Sequence, residues 1–85
     1  MVNQYEKRIV VNPKIMVGKP IIKGTRITVE FILRLMAQGM TEKEILENYT
    51  HLKKQDIKAV LEYAAHTVEE EGALSLLFPR VHKYV

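Results

Sequence analysis

The sequence predicts a mainly α domain: a homeodomain-like unit of three helices with a helix-turn-helix outline, preceded by two short N-terminal β-strands. Three observations carry this. A hydrophobic staple spacing repeats three times from residue 27 onward. Apolar residues recur at helical spacing after each repeat. Before residue 23, two β-branched runs are bounded by turn residues.

The strands come first. Residues 7–11, Lys-Arg-Ile-Val-Val, end at Asn12-Pro13, and Pro20-Ile21-Ile22 lies between Gly18 and Gly24. Both glycines are expected to supply special backbone angles at the two ends of the second strand. Two strands alone are marginal in water, so they must pack on the helices or pair with a second chain.

The helices follow in one register. Ile27-Thr28 with Ile32, Met40-Thr41 with Ile45, and Leu52-Lys53 with Ile57 each place an apolar residue before a cap and another after it. Thr41 and Glu44 complete a capping box, and Gly39 suits the left-handed position that ends the preceding helix. Lys53 cannot accept an amide hydrogen bond as threonine would, so the third start is imperfect. The first helix, about residues 29–38, presents Phe31, Ile32, Leu35 and Met36. The second, about 42–48, presents Ile45, Leu46 and the following Tyr49. The third, about 53–71, presents Ile57, Val60, Leu61, Ala64 and Val68 before Gly72 stops it. A short helix, a tight turn at residues 49–51 and a longer helix make the helix-turn-helix outline.

Composition bounds the class. Eighty-five residues hold one small domain, and 47% hydrophobic content suits a folded globule. Cysteine is absent, which excludes disulfides, thiolate metal sites and a cysteine nucleophile and fits a reducing cytoplasm. No apolar run approaches a membrane span, and the amino terminus lacks a signal-peptide core, so a cytoplasmic protein is expected. The net charge of +3 is unevenly placed. In residues 1–26, six basic side chains against Glu6 give +5; in residues 27–72, five basic against nine acidic give −4; Arg80 and Lys83 add +2. A polyanion meets the N-terminal arm first.

The motifs decide among chemistries. The segment 18–31, GKPIIKGTRITVEF, has a Gly-Lys pair, but Pro13 and Pro20 stand where a phosphate-binding loop needs glycine and Ser/Thr, so a nucleotide loop is excluded. Lys19, Lys23 and Arg26 remain candidates for nucleic-acid phosphates, since such contacts need charge more than spacing. At the start of the third helix, Lys53, Lys54, Gln55 and Lys58 are fit for groove entry, whereas Glu62 and Glu69–Glu71 further along require the helix to enter by its amino end. His51, His66 and His82 lack metal-ligand spacing, and the single serine, Ser75, has no evident base beside it. No catalytic residue, metal, cofactor or small-molecule substrate is expected. The chain divides into a domain at residues 1–72 and a tail at 73–85. That tail carries Leu74, Leu76, Leu77, Phe78, Val81, Tyr84 and Val85 beyond the three-helix core. So apolar a segment either folds back on its own domain or docks on another protein.

Gly18-Lys19-Pro20, Gly24-Thr25-Arg26, the Gly39-Met40-Thr41 turn with Glu44-Ile45, and His51-Leu52 followed by Asp56-Ile57 carry a family resemblance. Over about residues 9–66 the chain resembles the bacterial and archaeal domain-of-unknown-function family four-three-three, whose members look like VapB-type antitoxins encoded beside PIN-like ribonuclease toxins. Lys53 departs from that pattern, and the tail after Gly72 lies outside it. The resemblance implies a homeodomain-like fold, binding of double-stranded operator DNA and a nuclease partner. The expectation is therefore a homodimeric antitoxin of a type II toxin–antitoxin pair. It binds DNA through Lys19, Lys23, Arg26, Lys53, Lys54, Gln55 and Lys58, and its partner through Leu74, Leu77, Phe78, Arg80, Val81 and Tyr84. The alternative is an interaction module that dimerises and binds a protein partner without contacting nucleic acid.

Overall fold

The computed structural model describes residues 5–71. A helical turn α1 (Tyr5–Arg8) leads into β1 (Ile9–Val11), and β2 (Pro20–Ile22) returns antiparallel to it with Ile9 opposite Ile22 and Val11 opposite Pro20. Three helices follow: α2 (Val29–Ala37), α3 (Glu42–Asn48) and α4 (Lys54–Glu71). The mainly helical class with two strands ahead of three helices is the one expected. Among the described residues no helix is long and apolar enough to cross a membrane.

The staples explain why these segments become helices. Ile32, Ile45 and Ile57 are fully buried, and their partners Ile27, Met40 and Leu52 pack with them in one core. Thr28 Oγ1 accepts the Phe31 amide at 2.9 Å and caps α2. At α3 the box is complete: Thr41 Oγ1 accepts the Glu44 amide at 3.2 Å, and Glu44 Oε1 accepts the Thr41 amide at 2.9 Å. The Thr41 bonds hold the Glu44 carboxyl below the usual carboxylate range, with the backbone amide as the larger cause. The core also takes Ile9 and Ile22, so the helices of the same chain support the two strands.

Several expectations are corrected. Lys7 and Arg8 belong to α1 rather than to the first strand, because α1 packs on α4 and Arg8 reaches across to it. Leu61 is 44% exposed instead of core-facing. The buried positions of α4 are Asp56, Ile57, Ala59 and Val60, and from Leu61 to Glu69 no side chain is fully buried. Gly18, Gly24 and Gly39 all adopt positive φ, as expected, but so do Met16 (φ 50°) and Val17 (φ 57°) in the connection between the strands. For a β-branched residue that conformation costs about 1–2 kcal/mol, and Val17 is 93% exposed, so no packing offsets it.

Candidate nucleic-acid interface

The amino end of α4 is built around Asp56. Its Oδ2 accepts the Lys53 amide at 2.8 Å, and the Asp56 amide donates back to the Lys53 carbonyl at 2.9 Å. Asp56 thus makes from the third helical position one half of a capping box, the bond back to the cap amide, while its own amide goes to the Lys53 carbonyl instead of to a cap side chain. Its other oxygen, Oδ1, accepts Arg8 Nη1 at 2.9 Å. Asp56 is buried, so this carboxylate is matched by one full charge and one backbone donor. One side chain therefore fixes both the start of α4 and the N-terminal arm against it.

The turn after β2 is fixed just as closely. The Lys23 amide donates to the Arg8 carbonyl at 2.7 Å, and the Thr25 hydroxyl donates to the Ile22 carbonyl at 2.7 Å while accepting the Ile27 amide at 3.0 Å. Gly24 turns the chain at φ 81°, a conformation that a side chain at this position would oppose. The outcome is a cleft of about 590 Å³ lined by Lys7, Arg8, Lys23, Gln55 and Asp56. Lys23 of the arm and Gln55 of α4, two of the sequence-derived candidates, face the same space.

Of the other candidates, Arg26, Lys53, Lys54 and Lys58 are exposed, and among the described residues they and Lys23 form no ion pair. Their charges are available to an anion, and the positive end of the α4 dipole adds to them. Lys19 is placed differently. Its Nζ lies 2.9 Å from Glu30 on α2, which Arg34 also contacts at 3.1 Å. That bond with Lys19, followed by the charges of Lys19 and Arg34, holds the Glu30 carboxyl below its ordinary range. Glu42 of α3 borders a neighbouring cleft with Lys54, Gln55 and Lys58, and so places a negative charge beside the lysines. Leu74, Leu77, Phe78, Arg80, Val81 and Tyr84 lie outside the described residues.

Sequence reasoning missed Lys7, Arg8 and Asp56 as members of this site. The signal for Asp56 was present, since Lys53 and Asp56 have the same three-residue separation as Thr41 and Glu44. No comparable local signal marks Arg8, whose partner is 48 residues away.

A compact three-helix domain with a strand pair ahead of it and an exposed basic surface at the start of its longest helix defines a homeodomain-like helix-turn-helix class. Within that class the assignment is specific. Residues 9–64 match the family described as "Protein of unknown function (DUF433)", and the chain belongs to this family. The crystal structure of a DUF433 member protein from Anabaena variabilis superposes with a TM-score of 0.70 at 32% identity, covering 74% of this chain and 62% of that one. The chain thus accounts for somewhat under two thirds of the length of that neighbour. An uncharacterized protein from Archaeoglobus fulgidus is 59% identical over 29 residues, which are 34% of this chain and 81% of the relative.

Proposed function

We propose that this protein is a DNA-binding antitoxin that represses its own operon and neutralises a PIN-like ribonuclease. The observation that carries the DNA half is the cleft joining Lys23 of the arm to Gln55 of α4, beside lysines that form no ion pair among the described residues. A helix entering a major groove by its amino end brings Gln55 to base edges, while Lys53, Lys54, Lys58, Lys23 and Arg26 meet phosphates. Lys19 is left out of this set because Glu30 already holds it. A homodimer sets two such helices on a two-fold operator. The antitoxin half rests on the family resemblance. The tail lies outside that resemblance, and its apolar composition is what points to Leu74, Leu77, Phe78, Arg80, Val81 and Tyr84 as the partner contact, with Arg80 offering its planar fork to the carboxylates of a metal-dependent nuclease.

Fluorescence anisotropy with the protein's own promoter duplex, at several salt concentrations, tests the DNA half. Lys53→Ala, Lys54→Ala and Lys58→Ala should each weaken binding to every sequence and reduce the logarithmic salt slope by about one. Gln55→Ala should instead change which sequence is preferred. If the wild-type protein shows no binding at low salt, the interaction-module alternative replaces this proposal.

A further inference from the structure

An apolar groove lies between α2 and the second half of α4. Pro20, Val29 and Leu33 face Tyr63, Ala64 and Val68 across a space of about 580 Å³, bordered by the charged side chains of Lys19, Glu30 and Arg34. It exists because α4 outruns its core. From Leu61 to Glu69 no residue of that helix is fully buried, yet the helix continues to Glu71. Three further turns therefore hold apolar side chains beside α2 with nothing from the described residues laid over them.

The chain itself provides a fitting occupant immediately afterwards. Residues 72–78 read Gly-Ala-Leu-Ser-Leu-Leu-Phe and contain no charged side chain. Gly72 can reverse the backbone at the end of α4. Tyr63 stands about 13 Å back along the helix from Gly72, at a rise of about 1.5 Å per residue. About four extended residues span that length. The stretch from Leu74 to Phe78 is therefore long enough to span the groove, and Arg80 and Lys83 come after it in the chain.

We propose that this groove is the seat of the chain's own residues 73–78, folded back across Gly72 in the same molecule. A second copy offers the same residues, but only at its solution concentration. A segment tethered by one or two residues acts at an effective concentration in the millimolar range, about a thousandfold above a micromolar partner. This magnitude favours the intramolecular seat. The proposal goes beyond the functional reading above and is independent of it, because it concerns the protein without DNA or nuclease. Should the nuclease also take the tail, it must first draw it from this groove.

The test uses the full chain. The sequence has no cysteine, so Ser75→Cys introduces a unique thiol for a nitroxide label. In a methyl-labelled sample the proposal expects paramagnetic broadening at Leu33, Ala64 and Val68, with Ile45 less affected. When a nitroxide-bearing chain without isotopes is mixed with an isotopically labelled chain without nitroxide, those methyls should stay sharp. Adding Leu77→Asp to the spin-labelled chain should restore sharp signals at the groove. Sharp groove methyls in the first sample would overturn the proposal. Broadening that appears in the mixture as well as in the first sample would overturn the intramolecular seat and assign the groove to a second copy, and broadening that survives Leu77→Asp would show that the apolar segment does not hold the label there.

Discussion

The two halves of α4 differ in what they do with their side chains. In the first half Asp56, Ile57, Ala59 and Val60 are buried, and Asp56 ties the helix start to the Lys53 amide and to Arg8. In the second half, apolar residues line a groove and none is fully buried. One helix thus has an amino end held by Asp56 and carrying exposed cations, and a carboxyl end whose apolar surface the described residues leave uncovered. A functional side chain gains from the first arrangement, because Gln55 and the lysines are presented from a fixed frame. A docking surface gains from the second.

The strongest way to break this contrast is to truncate one core residue in each half. Ile57→Ala should lower the unfolding free energy by about 3–4 kcal/mol, since the site is fully buried and closed by neighbours. Val68→Ala, at a half-buried position, should cost about 1 kcal/mol or less. Urea titrations of the two variants measure both, and equal losses would mean that the two halves are packed alike. Asp56→Ala comes next, at about 2–3 kcal/mol, because it removes the Lys53 amide acceptor and strands Arg8, whose side chain is 34% exposed and so partly rescued by water. Asp56→Asn keeps one oxygen to accept the Lys53 amide but sets an NH2 donor against Arg8, so it loses the charge and that bond and should fall between wild type and alanine.

The legible part of this architecture was the local part. Ile27 with Ile32, Met40 with Ile45 and Leu52 with Ile57 announce three helix starts because cap and staple lie within five residues of each other. The strand at Pro20–Ile22 was legible for the same reason. Lys7 and Arg8 were not, because β-branched neighbours point to a strand while a contact 48 residues distant selects a helical turn. Leu61 fits the helical apolar spacing but turns toward the exposed cleft beside Glu42 and Lys54, a fact of tertiary packing. Of the candidate interface, the cations could be read from the sequence and their grouping could not. Lys23 joins Gln55, while Lys19 is drawn away to Glu30.

The connection between the strands gives a smaller effect of opposite sign. Val17→Asn should stabilise the protein by about 1 kcal/mol, because asparagine tolerates the left-handed conformation that valine resists. A raised melting temperature by differential scanning calorimetry is the expected result, and a lowered one would show that the Val17 side chain has a role that its exposure conceals.

The start of α3 responds to acid through Glu44. Glu44 is held below its ordinary carboxylate range by Thr41, so the stability it contributes is fully present above the unfolded value, about 4.3. It is lost as pH falls through the lower folded value. Helicity followed by circular dichroism between pH 6 and pH 2 should therefore decline at the acid end, and Glu44→Gln should make that decline shallower. An unchanged pH profile in the variant would remove Glu44 as a contributor.

The smallest expected effect concerns a negative charge set against the basic end of α4. Glu42 borders a cleft with Lys54, Gln55 and Lys58, and it is an exposed or half-exposed group at the start of α3, where the helix dipole favours it. At about 7 Å in water-like surroundings, one unit charge alters the energy of a bound phosphate by about 0.5 kcal/mol, and salt reduces this further. Glu42→Gln should therefore tighten DNA binding about two- to threefold at low salt, with the gain fading as salt rises. The fold should hold, because Thr41 and Glu44 still cap α3. Anisotropy titrations of variant and wild type on the same duplex measure the ratio. If affinity falls on removing this carboxylate, the phosphates do not approach α4 by its amino end, and the orientation proposed for the helix is wrong even if DNA is bound.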